Sequence, residues 1–92
     1  MYHVIPSNQY RKSLGRIGQH KDFQVKKLDE IVKLLENGET LAPRHRDHEL
    51  KGDHAGIREC HVQNDVLLLY RKEKDMLVLL LVDIGTHSYL FE

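Results

Sequence analysis

Two apolar runs near the C-terminus constrain this chain most. VLLLY (66–70) and MLVLLLV (76–82) are separated only by the charged RKEKD (71–75). Runs this short, bounded by a polar turn, read as a β-hairpin. The second run is apolar on both faces, as a central strand is. GIRECHV (56–62) adds a further strand. Its side chains alternate, with Ile57, Glu59 and His61 on one face and Arg58, Cys60 and Val62 on the other. Tyr2–Ile5 is short, partly β-branched and stopped by Pro6, so it also reads as a strand.

Helices fill the gap between these strands. Ser7 is a good N-cap, and Tyr10, Leu14 and Ile17 follow at i, i+4 and i+7, ending near Gly18. Asp22 is the expected cap of a second helix. There Val25, Leu28, Val32 and Leu35 line one face, and Lys26, Lys27, Asp29, Glu30 and Lys33 fill the other. Asn37-Gly38 is a natural stop. The short connection implies an antiparallel helical pair. Thr40–Gly56 is polar, contains Pro43, Gly52 and Gly56, and reads mostly as loop. A short stretch, SYLF (88–91), follows Gly85. The order is β-α-α, then three or four mostly antiparallel strands. At 92 residues the expectation is one domain, 1–92, with one modest core.

Several function classes drop out. No apolar run reaches the roughly 18–20 residues of a membrane span, and MYHVIPSNQY has no signal-peptide core. The single cysteine, Cys60, forms no internal disulfide, so a reducing cytoplasmic setting is expected. Net charge is zero but uneven. Residues 7–36 carry seven Lys/Arg and four Asp/Glu (net +3), which leaves seven bases and ten acids elsewhere (net −3). A basic N-terminal half suits a nucleic acid, although a solvated helix face has the same charge pattern.

Four of the seven histidines lie in RHRDHELKGDHAGIRECH (44–61). A zinc site needs three or four converging ligands. There is no HExxH, Cys60 is the only thiol, and His45-x-x-His48 sits in a loop, so no metal site and no cofactor are expected. His3, His20, His45 and His54 read as polar surface residues. The remaining chemistry is acid–base, because imidazole exchanges protons near neutrality. Cleaving RNA by transesterification needs a base for the 2′-OH, an acid for the 5′-oxygen and a cation for the phosphate. Spacing alone does not bring His48, His61, Asp65 and His87 together.

The residues from 47 onward carry a resemblance. DHELKGDHAGIRECHVQNDVLLLY followed by GTHSYLF resembles the YafQ branch of the RelE/ParE toxin superfamily, toxins of bacterial type II toxin–antitoxin pairs. The branch pattern is D-H-x-L-x-G, then G-x-R-[DE]-x-H-V-x-x-D, a hydrophobic hairpin, and G-T-H-x-x-L-F. It is matched at Asp47, His48, Leu50, Gly52, Gly56, Arg58, Glu59, His61, Val62, Asp65, Gly85, Thr86, His87, Leu90 and Phe91. The helical half agrees in arrangement only.

The resemblance implies an α+β, RelE-like fold with two N-terminal helices packed on a twisted, mostly antiparallel four- to five-stranded sheet. It implies a ribosome-dependent endoribonuclease that cuts translated mRNA, and a cognate antitoxin that blocks it. Operator DNA would be bound only through the toxin–antitoxin complex. Carried over by position, His48, His61, Asp65 and His87 are the catalytic set. His87 is then the general acid and Asp65 the base, with His48 and His61 binding phosphate or sharing proton transfer. Phe91 would stack on a base of the RNA. Arg58, Arg46, Lys26 and Lys27 complete the RNA-binding set.

The chain departs from the branch at one place. Relatives often carry an arginine just before G-T-H, and here the sequence is VDIGTH, with Asp83 and Ile84. Losing such a cationic contact costs about 10²- to 10³-fold in rate. Arg46 or Arg58 would have to replace it. The alternative expectation is a catalytically weak toxin-fold protein that acts as antitoxin partner and co-repressor.

Overall fold

The computed structural model describes residues 1–92. Strand β1 (His3–Pro6) is followed by helices α1 (Asn8–Ile17) and α2 (Val25–Glu36). Then come β2 (His48–Glu49), β3 (Arg58–Gln63), β4 (Val66–Glu73), β5 (Val78–Gly85) and a last helix α3 (His87–Phe91). Short 3-10 turns at Pro43–His45 and Gly52–His54 break up the long connection before β3. The five strands form one sheet in the order β1-β5-β4-β3-β2. All pairs are antiparallel except β1 with β5. The expected α+β architecture is present, with five strands and a third, C-terminal helix formed by the SYLF stretch.

The helices cover one face of the sheet. Ser7 caps α1 as expected, its hydroxyl accepting from the Tyr10 N–H at 2.9 Å and donating to the Val82 carbonyl at 2.8 Å. The expected Asp22 cap is not formed. Gln24 occupies the N-cap position of α2 without capping it, and Gln63 does the work from β3. Its Oε1 accepts from the Gln24 N–H at 2.8 Å, and its Nε2 donates to the Asp22 carbonyl at 2.9 Å. At the other end, Gly38 takes φ +77°, which an L side chain resists, and its N–H reaches the Leu35 carbonyl. The principal partner of α1 is β5, and α2 faces β3, so each helix packs mainly on the sheet.

The core lies between these layers. Tyr10 and Ile17 of α1 and Leu28, Ile31 and Leu35 of α2 meet Cys60, Val62, Leu68, Tyr70, Leu79, Leu81 and Ile84 of the sheet. The central position of β5 explains its two-sided apolarity. Leu67 and Leu69 are buried as well but lie outside that cluster. They point to the opposite face, because side chains alternate along β4.

Burial of the core titrating groups makes stability sensitive to base. Burial pushes the Cys60 thiol up to about 12, helped by Asp47 and Glu59, and pushes the Tyr10 phenol up to about 12, helped by Asp29. Both folded values are raised, so the stabilisation is complete below the ordinary values and is lost as pH rises towards about 12. For Cys60 alone the loss between pH 8 and 10.5 is about 2 kcal/mol. Urea unfolding at those two pH values checks this, and Cys60→Ala should narrow the difference.

Candidate active site

The face away from α1 and α2 carries His48, Glu59 and His61, and the strand register orders them. His48 stands opposite Glu59, Glu59 opposite Leu69, and Leu69 opposite Asp83. In the next row His61 stands opposite Leu67, and Leu67 opposite Gly85. Directly paired residues point to the same side, and neighbouring strands lie about 5 Å apart. His61 and Gly85 are therefore about 10 Å apart through the backbone, and α3 starts two residues beyond Gly85. Leu67 and Leu69 form an apolar floor between the histidine side and the α3 side.

Glu59 joins the two histidines on this face. It is only 8% exposed. Its Oε1 lies 3.5 Å from His48 Nε2 and 3.9 Å from His61 Nε2. One carboxylate thus faces two imidazoles. The His48 ring is oriented from outside. His48 Nδ1 is 2.6 Å from the Arg46 carbonyl, leaving Nε2 for Glu59. Arg46 itself takes φ +48°, which turns the chain so that this carbonyl points back. His45 is more than a polar surface residue, because its Nδ1 lies 2.8 Å from the His61 carbonyl and ties the 3-10 turn to β3.

The second group is built on α3. Thr86 caps this helix, accepting from the Tyr89 N–H at 3.2 Å. His87 and Phe91 sit at i and i+4, with ring centroids 5.1 Å apart. His54 is also no bystander, since its ring meets Phe91 edge-on at 5.6 Å. Asp65 occupies the tight turn between β3 and β4 at φ +49°. Its Oδ1 accepts from the His87 backbone N–H at 3.4 Å, linking that turn to α3.

The structure does not bring all expected residues to this face. Arg58 alternates onto the helix side of β3. There its Nε donates to Asp47 Oδ1 and to the Tyr70 hydroxyl, each at 3.3 Å, and Tyr70 donates to the same Asp47 oxygen at 2.6 Å. The Arg58 Nε is thus engaged in a part-buried network, and its strand position faces away from His61. The Asp47-His48 pair is split between the two faces: Asp47 anchors the loop to the core and His48 faces Glu59. Lys26 and Lys27 lie at the start of α2, exposed, and Lys27 lines a 460 Å³ groove that also contains Arg44, His45, His61 and Asp65. Asp83 shares the row of Glu59 and uses Oδ1 to accept from the Ile84 N–H at 2.8 Å.

Sequence reasoning left out Glu59 as a site residue. The strand alternation was the available signal, since it places Glu59 and His61 on one face. No group of three or more His, Cys, Asp or Glu side chains is placed to share a metal ion. No helix is long and apolar enough to cross a membrane.

Comparison with known proteins shows the family and the fold. The family described as "Bacterial toxin of type II toxin-antitoxin system, YafQ" matches residues 2–92. The mRNA interferase toxin YafQ of Escherichia coli K12 is 33% identical over 86 residues, covering 92% of this chain and 90% of that protein. A metal-bound toxin from Helicobacter pylori superposes with a TM-score of 0.90 at 37% identity, over 99% of this chain and 100% of that one. YafQ in the E. coli DinJ–YafQ complex gives 0.85 at 28% identity, with both chains covered completely. A match across nearly the whole chain, together with the shared fold, means that the chain belongs to the YafQ family of bacterial type II toxin–antitoxin toxins.

Proposed function

We propose that this protein is an endoribonuclease that cuts translated mRNA on the ribosome by acid–base transesterification, and that a cognate antitoxin holds it inactive. The observations that support it are a Glu59-linked histidine pair on one sheet face, and an Asp65 that bonds the backbone of the helix carrying His87 and Phe91. In this reading Asp65 takes the proton of the ribose 2′-OH, whose oxygen attacks phosphorus. The bond from phosphorus to the 5′-oxygen breaks, and His87 gives its proton to that oxygen. His48 and His61, facing Glu59, bind the phosphate or share in proton transfer. Phe91 stacks on a neighbouring base. Every proton transfer is assigned to a side chain, so the scheme requires no metal. Lys26 and Lys27 contact RNA backbone, and that binding weakens with salt. The setting is the cytoplasm, and operator DNA is bound only by the toxin–antitoxin complex.

Induced expression in bacteria lacking the antitoxin tests the reading. Wild type should arrest growth, whereas His87→Ala and Asp65→Ala should not, with each variant still recovered folded. Full arrest by both variants would overturn the assignment.

One observation favours a second reading. Asp83 stands on the same face as Glu59, where related toxins often have a cation. A negative charge there repels phosphate, and that would make the protein mainly an antitoxin partner and co-repressor. Restored or increased cleavage in Asp83→Arg would measure how far Asp83 limits turnover.

A further inference from the structure

We propose that Tyr89 is a positioning residue that latches α3 to α1 and thereby sets where His87 stands. This rests on the reading above, in which His87 delivers the proton to the leaving oxygen.

Little else holds α3. The helix has five residues and buries none of them. Isolated helices below about 12 residues are marginal in water, so tertiary contacts must fix this one. Two polar links reach it from other elements. The first is the 3.4 Å bond from the His87 N–H to Asp65 Oδ1, at the long limit for such a bond. The second is Tyr89. Its hydroxyl lies 2.9 Å from Ser13 Oγ and 3.4 Å from Gln9 Nε2, both on α1.

The ring of Tyr89 is held as well as its hydroxyl. The Arg16 guanidinium lies 4.9 Å from the ring centroid, in cation–π range. On the sheet side the ring lies against the backbone of Gly85. A Cβ added at Gly85 would stand 2.5 Å from Tyr89 Cδ2. Gly85 therefore admits the ring where any other residue would push it out. Ser13 is 1% exposed, a polar side chain in the buried face of α1. Its hydroxyl is matched to the Tyr89 hydroxyl, with Gln9 as its other partner.

The geometry of a helix separates latch from working face. His87 and Phe91, four residues apart, share one side of α3. Tyr89, two residues from each, points to the other. Releasing Tyr89 thus moves His87 without removing any atom the reaction uses. A displacement of about 1 Å at such a group can cost about 10²-fold in rate.

The experiment combines single-turnover cleavage of mRNA on programmed ribosomes with backbone amide NMR of the free toxin. Tyr89→Ala should lower the cleavage rate about 10- to 100-fold. Amides 87–91 should lose their helical shifts, while those of α1 and the strands keep theirs. Tyr89→Phe keeps the ring and should lose at most about fivefold. In a His87→Ala background, Tyr89→Ala should cause no further loss, since the two changes remove the same contribution. The inference is overturned if Tyr89→Ala cleaves at the wild-type rate, if α3 stays ordered without Tyr89, or if the two losses multiply. Absence of cleavage by wild type would instead defeat the proposed function, and the amide shifts would still decide whether Tyr89 holds α3.

Discussion

Replacing His87 with alanine should lower cleavage by about 10²- to 10⁴-fold, the usual contribution of a positioned general acid. Folding should be unaffected, because the His87 side chain is exposed and its backbone supplies the contact to Asp65. Loss of RNA binding would also lower the rate, so the chemical role needs a sharper check. An mRNA carrying sulfur in place of the bridging 5′-oxygen at the cleavage site has a leaving group that needs no proton. His87→Ala should cut that RNA nearly as fast as wild type does, while still failing on ordinary RNA. Asp65→Ala should stay slow on both, because the 2′-OH still has to lose its proton. Equal defects of His87→Ala on the two RNAs would move His87 from acid catalysis to binding.

The largest stability loss is expected from Leu68→Ala. Leu68 is fully buried at the middle of β4, among side chains from both helices and the sheet. Its truncation removes apolar contacts and leaves a cavity that rigid strand neighbours fill poorly, at a cost of about 2–5 kcal/mol. Small domains have about 5–15 kcal/mol in total, so the variant should lose a large share of its stability. Leu67→Ala is the informative partner. Leu67 is also buried but belongs to the floor of the opposite face, where His61 and α3 can settle inward, so its stability loss should be smaller. Chemical unfolding of both variants checks the order.

These two residues show what was legible in the chain. Consecutive leucines mark β4 as a strand, the two-sided apolarity of 76–82 announces a central one, and the apolar runs locate the hairpin to within a few residues. Alternation along 56–62 already separates Glu59 and His61 from Arg58. It did not reveal that Asp47 and Tyr70 capture Arg58, because those partners come from a loop and from the next strand. The same distance effect hid the support for α2. Asp22 looks like a cap in sequence, but Gln63, on β3, satisfies the backbone there. His45 and His54 looked like loop filler for the same reason, since their partners, the His61 carbonyl and the Phe91 ring, lie 16 and 37 positions further along the chain. The helical state of SYLF was illegible because it depends on Thr86 as a cap and on Tyr89 finding α1. Local pattern gives elements and faces. Pairing between remote elements makes the site, and that information resides in the register.

The most direct measurement is primer extension on a reporter mRNA, with the start codon intact or disabled, in cells expressing the wild-type toxin. The account predicts discrete cuts within the reading frame of the translated message, absent from the untranslated one and absent with His87→Ala. Equal cutting of both messages would contradict ribosome dependence, and no cutting by folded wild-type protein would contradict the nuclease itself.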